Sequence, residues 1–170
     1  MNSGNTQNQQ RFIQLVEQYQ ESVLRTCYLY LRDQSLAEDA VQETFLKVYR
    51  KIGTFRGECS EKSWIMKIAM HVCYDMKRSA WFRLMNRFVT PEMLPEQDPD
   101  TYDERDEALT MAVMMLPPKL REVILLYYYQ GMNVNEIAET LNIAHSSVSG
   151  RLQRGRKRLK KLLEGSDLDA

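Results

Sequence analysis

No stretch of the 170 residues reaches the roughly 18 consecutive apolar side chains that a helix needs to cross a bilayer. The opening MNSGNTQNQQ is polar, without the basic start and apolar core of a secretory signal. A cytoplasmic protein is the expectation. Cysteine is scarce: Cys27, Cys59 and Cys73 are odd in number and widely spaced, with no CxxC pair. That argues against a disulfide framework and a thiolate metal site, and predicts reduced, mostly buried thiols. Cys59, His71 and Cys73 are a metal set only in composition. His71 and His145 are the two histidines, and neither a P-loop nor a nucleophile elbow is present. Glu38, Asp39 and Glu43 lack a histidine at ligand spacing. No catalytic residue, metal or cofactor is expected. Convincing alternation of apolar and polar residues is also missing, so the fold class is all-α.

Net charge is zero, but its distribution is uneven. Residues 1–88 hold 13 Lys/Arg against 9 Asp/Glu, residues 89–117 hold 1 against 8, and residues 118–164 hold 9 against 4. Two basic blocks flank an acidic one. The layout suggests two surfaces for a polyanion, joined by a segment that the polyanion repels.

Apolar spacing organises the chain into two small helical domains. Phe12, Leu15, Val16, Tyr19, Val23 and Cys27 predict a long helix from about residue 8 to 31. Ser35-x-x-Glu38 reads as a capping box starting a second helix, with Ala37, Ala40, Val41, Thr44, Phe45, Val48 and Ile52 on its apolar face. Gly53 and Gly57 mark a loop. A third helix carries Trp64, Ile65, Ile68, Ala69, Val72 and Met76 inward. PEMLPEQDP, from Pro91 to Pro99, cannot bury a core and reads as a linker. The expected bounds are 8–88 for the first unit, 89–103 for the acidic linker and 104–164 for the second unit.

In the second unit a helix from about 104 to 115 ends at Leu116-Pro117-Pro118, and another carries Leu120, Val123, Ile124 and Tyr127 up to Gly131. Asn133-x-x-Glu136 caps a short helix through Leu141. A tight turn at 142–145 leads into a final helix starting near Ser146 or Ser147. Two short helices, a tight turn and a basic second helix form a helix-turn-helix pattern. On a helical wheel, Val148, Leu152, Gly155, Leu159, Leu162 and Leu163 face inward, while Ser146, Gly150, Gln153, Arg154, Lys157 and Lys161 face outward. Small groups open this helix and charges collect later, as entry into a major groove between phosphates requires.

Two other faces are unusual. Asp39, Gln42 and Glu43 lie opposite the apolar stripe of the second helix, with Leu46 among them and Tyr49 alongside. An exposed leucine ringed by acids suits a basic protein partner, though single exposed leucines are also common. The third helix turns Trp64, Lys67, His71, Tyr74, Asp75 and Arg78 away from its core. Aromatic and basic groups in one line suit stacking on unpaired bases, while Trp64 equally suits core packing. KRSAWFRLMNR continues the theme, with Trp81 and Phe82 between Lys77, Arg78, Arg83 and Arg87.

AEDAVQETFLKVYRKIGTFRG followed by SWIMKIAMHVCYDMKR resembles region 2 of extracytoplasmic-function (ECF) sigma factors. LPPKLREVILLYYYQGMNVNEIAETLNIAHSSVSGRLQRGRKRLKKL resembles their region 4. The resemblance covers about two-thirds of the chain, in family order. It implies a sigma factor without enzymatic activity that directs core RNA polymerase to promoter DNA, usually under an anti-sigma factor. It implies that Asp39, Gln42, Glu43, Phe45 and Leu46 dock on the clamp helices of the largest polymerase subunit, and that the polymerase flap region is a further partner surface. The third helix corresponds to the part that melts the minus-10 element, with His71 where the family usually has Asn and Asp75 at a common Asp. Ser149, Gly150 and Gln153 correspond to positions facing the minus-35 element, and Arg151 and Arg154 to positions near phosphates. Ser146, Ser147 and Lys157 complete that surface. Family members often carry a basic residue and Ser where this chain has Ser149 and Gly150, which leaves fewer side-chain donors for base readout. A self-sufficient helix-turn-helix regulator is the alternative; it leaves the Leu46 patch and the aromatic third helix unexplained.

Overall fold

The computed structural model describes residues 3–78 and 104–168, and every regular element among them is helical. Helix α1 spans Ser3–Leu31, α2 Gln34–Lys51 and α3 Glu61–Lys77. After the undescribed segment come α4 (Glu104–Met115), α5 (Pro118–Ile124), α6 (Val134–Leu141) and α7 (His145–Leu168). The predicted linker and Trp81, Phe82, Arg83 and Arg87 lie outside the described residues.

Helices α1, α2 and α3 pack mutually into a bundle. The predicted inner face of α2 is buried from Ala37 to Val48, and Ile52 just past its end is buried too. Its start differs from the sequence expectation. Asp33, not Ser35, is the N-cap, its Oδ1 accepting from the Leu36 N–H at 2.8 Å. Arg32 takes a left-handed φ of 61°, which turns the chain sharply enough to bring the Asp33 carboxylate onto the first free N–H groups. Ser35 stays exposed. A second cap, Ser60 accepting from Ser63 N–H at 3.1 Å, starts α3.

In the second unit, Pro118 opens α5, where its missing N–H costs nothing. The helix widens into a π-helical turn over Leu125–Tyr129, closed by the Gln130 N–H on the Leu125 carbonyl. Asn133 and Glu136 make the expected capping box on α6. Asn142, at φ 53°, ends α6 in the left-handed conformation that this residue type tolerates. Helix α7 then crosses α5 at Gly155, where an added Cβ would lie 2.9 Å from Ile124 Cγ1. Only glycine fits that crossing without displacing Ile124.

The two units are not independent. Their buried apolar side chains form one continuous cluster, from Leu15 on α1 to Leu152 on α7. Polar links cross between them. Gln130 donates to the Thr26 hydroxyl at 2.6 Å and the Ser22 carbonyl at 3.2 Å, while Lys62 donates to the Gln130 carbonyl at 3.1 Å. Gln130, which closes the π-helical turn, thus contacts both α1 and α3.

Candidate polymerase and nucleic-acid interfaces

Three surfaces follow from this packing. On α2, Asp39 and Gln42 are exposed, Glu43 is half-buried and Leu46 is 51% exposed beside an exposed Tyr49. Phe45 departs from the outward set: it is buried, with its ring edge-on to Phe12 at 6.5 Å. Its backbone neighbour Leu46 is therefore held outward by a packed anchor beneath it. Acidic and amide groups around an apolar knob form a surface complementary to a basic, partly apolar partner.

On α3 the predicted line divides. Lys67, His71, Asp75 and Arg78 are exposed. Asp75 and Arg78 approach only to 3.9 Å at high exposure, which leaves both groups to water. Trp64 is half-buried and stacks on Phe55 at 4.6 Å, with Arg11 over the far ring. The core-packing reading of Trp64 thus holds for much of its surface. Tyr74 is half-buried, and its hydroxyl donates to Glu122 of the second unit. Burial first, then the Glu122 charge, raises the Tyr74 phenol far above its ordinary range.

Most of the side chains expected on the outward face of α7 are exposed. Ser146, Ser149, Gln153, Arg154 and Lys157 are exposed along α7, with Ser147 and Gly150 half-buried. Val148, Leu152 and Gly155 are buried on the opposite side. The beginning of the helix therefore presents small polar groups, and its later turns present cations. Arg151 is the exception. It is turned inward, 18% exposed, pairing with Glu122 at 2.9 Å. Arg156 is also engaged, over the Tyr127 ring at 5.4 Å and donating to the Tyr128 hydroxyl.

Sequence reasoning missed the junction between the units. Arg121 is 2% exposed, donates to the Met114 carbonyl at 2.7 Å and the Leu116 carbonyl at 3.2 Å, and lies over the Tyr30 ring. Burial, then Arg32, lowers its guanidinium to about 10. Lys77 donates to the Tyr30 hydroxyl at 3.3 Å and is lowered to about 8, by burial first and Arg121 next. Glu122 accepts from the Tyr74 hydroxyl and from Arg151, and burial raises its carboxyl despite both. Arg121 and Glu122 fall between the apolar positions Leu120, Val123 and Ile124, so periodicity alone assigns them to solvent. The first unit covers them instead.

A helix-turn-helix with a basic second helix, attached to a helical bundle with an exposed acidic-apolar patch, is the architecture of a DNA-binding protein. The Sigma-70 region 2 family model matches residues 15–83, and the Sigma-70, region 4 model matches residues 106–159. Among curated proteins, the ECF RNA polymerase sigma factor SigX of Bacillus subtilis is 29% identical over 92% of this chain and 85% of its own length. RNA polymerase sigma factor SigZ of the same organism is 30% identical over 79% of this chain and 77% of its own length. The sigma factor RpoE of Bartonella quintana, solved in complex with the anti-sigma factor NepR, has the same fold. Its TM-score is 0.76 at 23% identity, covering 91% of this chain and 97% of that one. The chain belongs to the sigma-70 family of RNA polymerase sigma factors, within the ECF class. It is a transcription initiation factor. Among the described residues, no helix is long and apolar enough to cross a membrane.

Proposed function

We propose that this sigma factor works in the cytoplasm, divides promoter recognition between α3 and α7, and docks core polymerase through α2. The polymerase supplies the catalysis; this chain contributes binding and strand opening. Residues 8–88 form the docking and minus-10 unit, 89–103 the linker and 104–164 the minus-35 unit. Asp39, Gln42, Glu43 and Leu46 meet the clamp helices, with Phe45 supporting Leu46 from the core side. Lys67, His71, Asp75 and Arg78 line the path of the melted minus-10 strand, joined by Trp64 and by Tyr74 once it leaves Glu122. Ser146, Ser147, Ser149, Gly150 and Gln153 face minus-35 bases, and Arg154 and Lys157 face phosphates. Arg151 joins the phosphate contacts only after release from Glu122. The regulon is a stress or envelope response. An anti-sigma factor holds the chain in check, and this second part is supported by the NepR complex of the Bartonella quintana sigma factor.

The observation that carries this reading is the outward face of α7, with Gln153 and Arg154 adjacent and both exposed. The two residues should fail differently. Gln153→Ala is expected to change base preference within the minus-35 element, because an amide can pair with a base edge. Arg154→Ala is expected to weaken all sequences alike and to flatten the salt dependence by about one phosphate contact. Selection from randomised minus-35 duplexes, repeated at two salt concentrations, measures both. Identical preferences for Gln153→Ala and the parent would overturn the assigned register.

A further inference from the structure

Cys27 on α1 and Cys73 on α3 lie far apart in sequence, yet their sulfurs approach to 3.6 Å. Both side chains are wholly buried. A disulfide requires about 2.0 Å between sulfurs, so the two need to close by roughly 1.5 Å across helices already packed together. Cys59, the third thiol, is half-exposed and outside this contact. We propose that Cys27 and Cys73 are a modification site, joined by an intrachain disulfide when the chain meets a hydroperoxide. This goes beyond the sigma-factor reading and does not depend on it.

The chemistry balances with hydrogen peroxide as the oxidant. One thiolate attacks the O–O bond, taking one oxygen as a sulfenic acid, and the other oxygen leaves as water. The second thiolate then attacks the sulfenic sulfur, the S–S bond forms, and hydroxide leaves with a proton as a second water. Two thiols are oxidised and one peroxide is reduced. The surroundings set the pace. The hydrogen bond to Cys27 and burial both hold the Cys73 thiol well above its ordinary range, while Lys77 acts in the opposite sense. Above Lys77 lies the Tyr30 ring, and over that ring lies Arg121 from the second unit. Oxidation therefore proceeds through local opening that admits peroxide and water. The product ties α3, which carries the proposed strand-capturing face, to α1.

The test uses the full reduced chain without polymerase or DNA, so its outcome is separate from the test of promoter recognition. The folded chain is treated with hydrogen peroxide, its remaining thiols are alkylated, and the protein is digested without reduction. The expected result is a drop from three alkylated cysteines to one. The linked peptides should contain Cys27 and Cys73, and reductant should reverse the change. Closing a loop of this length should raise the thermal midpoint by roughly 10 °C. In the Cys59→Ser chain the count should fall from two to none, with the same linked peptides. Persistence of both buried thiols at peroxide levels that oxidise Cys59 would overturn the proposal. So would oxidation of Cys27 and Cys73 to sulfinic acids without a link.

Discussion

Glu122→Ala is expected to lower the thermal midpoint by roughly 5–10 °C and to loosen the contact between the two units. The substitution removes the carboxylate that Arg151 pairs with and the acceptor of the Tyr74 hydroxyl. Removing one partner of a fully buried pair costs about 3–5 kcal/mol. Arg151 keeps 18% of its surface in water and can turn outward, so the lower part of that range applies. Glu122→Leu combined with Arg151→Met should recover much of the loss, because it leaves no buried charge unpaired. Small-angle scattering should report a larger radius for Glu122→Ala than for the parent, since Tyr74 no longer ties α3 to α5. An unchanged midpoint and radius would mean that Glu122 does not hold the closed arrangement.

The docking face should respond as strongly, through binding instead of folding. Replacing Asp39 and Glu43 together by Lys reverses two charges on the face of α2 that carries Leu46. Affinity for core polymerase is expected to fall roughly 100-fold, about 2.8 kcal/mol. The helix should persist, since Asp39 is exposed and Glu43 only half-buried. Fluorescence titration with purified core enzyme measures the loss, and circular dichroism checks the fold. Unaltered affinity in a folded double variant would remove α2 from the docking surface.

The helices and their inner faces were legible because burial within a bundle imposes a period that side-chain chemistry reveals. Ala37, Val41, Thr44 and Val48 illustrate it, and so does the capping box at Asn133 and Glu136. The start of α2 was misread because Ser35 and Glu38 satisfy the capping pattern as well as Asp33 satisfies the geometry. The left-handed φ at Arg32 decides between them, and no residue-type preference announces it. The outward face of α7 was legible except for Arg151. Its neighbour Gln153 looks outward, whereas Arg151 answers a carboxylate 29 positions away on α5. Glu122, Arg121 and Gln130 were illegible for the same reason. Their burial comes from a second unit, and a wheel drawn for one helix carries no information about what lies across from it. Trp64 and Tyr74 show the converse case, in which a side chain suited to a base is packed against protein in this arrangement.

Run-off transcription of a fragmented genomic library by purified core polymerase, with and without this chain, tests the central claim most directly. New transcripts should appear only when both are present, and their start sites should share a two-part upstream motif. Gln153→Ala should alter the upstream half of that motif, and His71→Ala should reduce initiation unless the template is already unpaired at minus-10. Transcripts identical to those of core enzyme alone, together with protection of DNA sites by this chain in the absence of polymerase, would contradict the account.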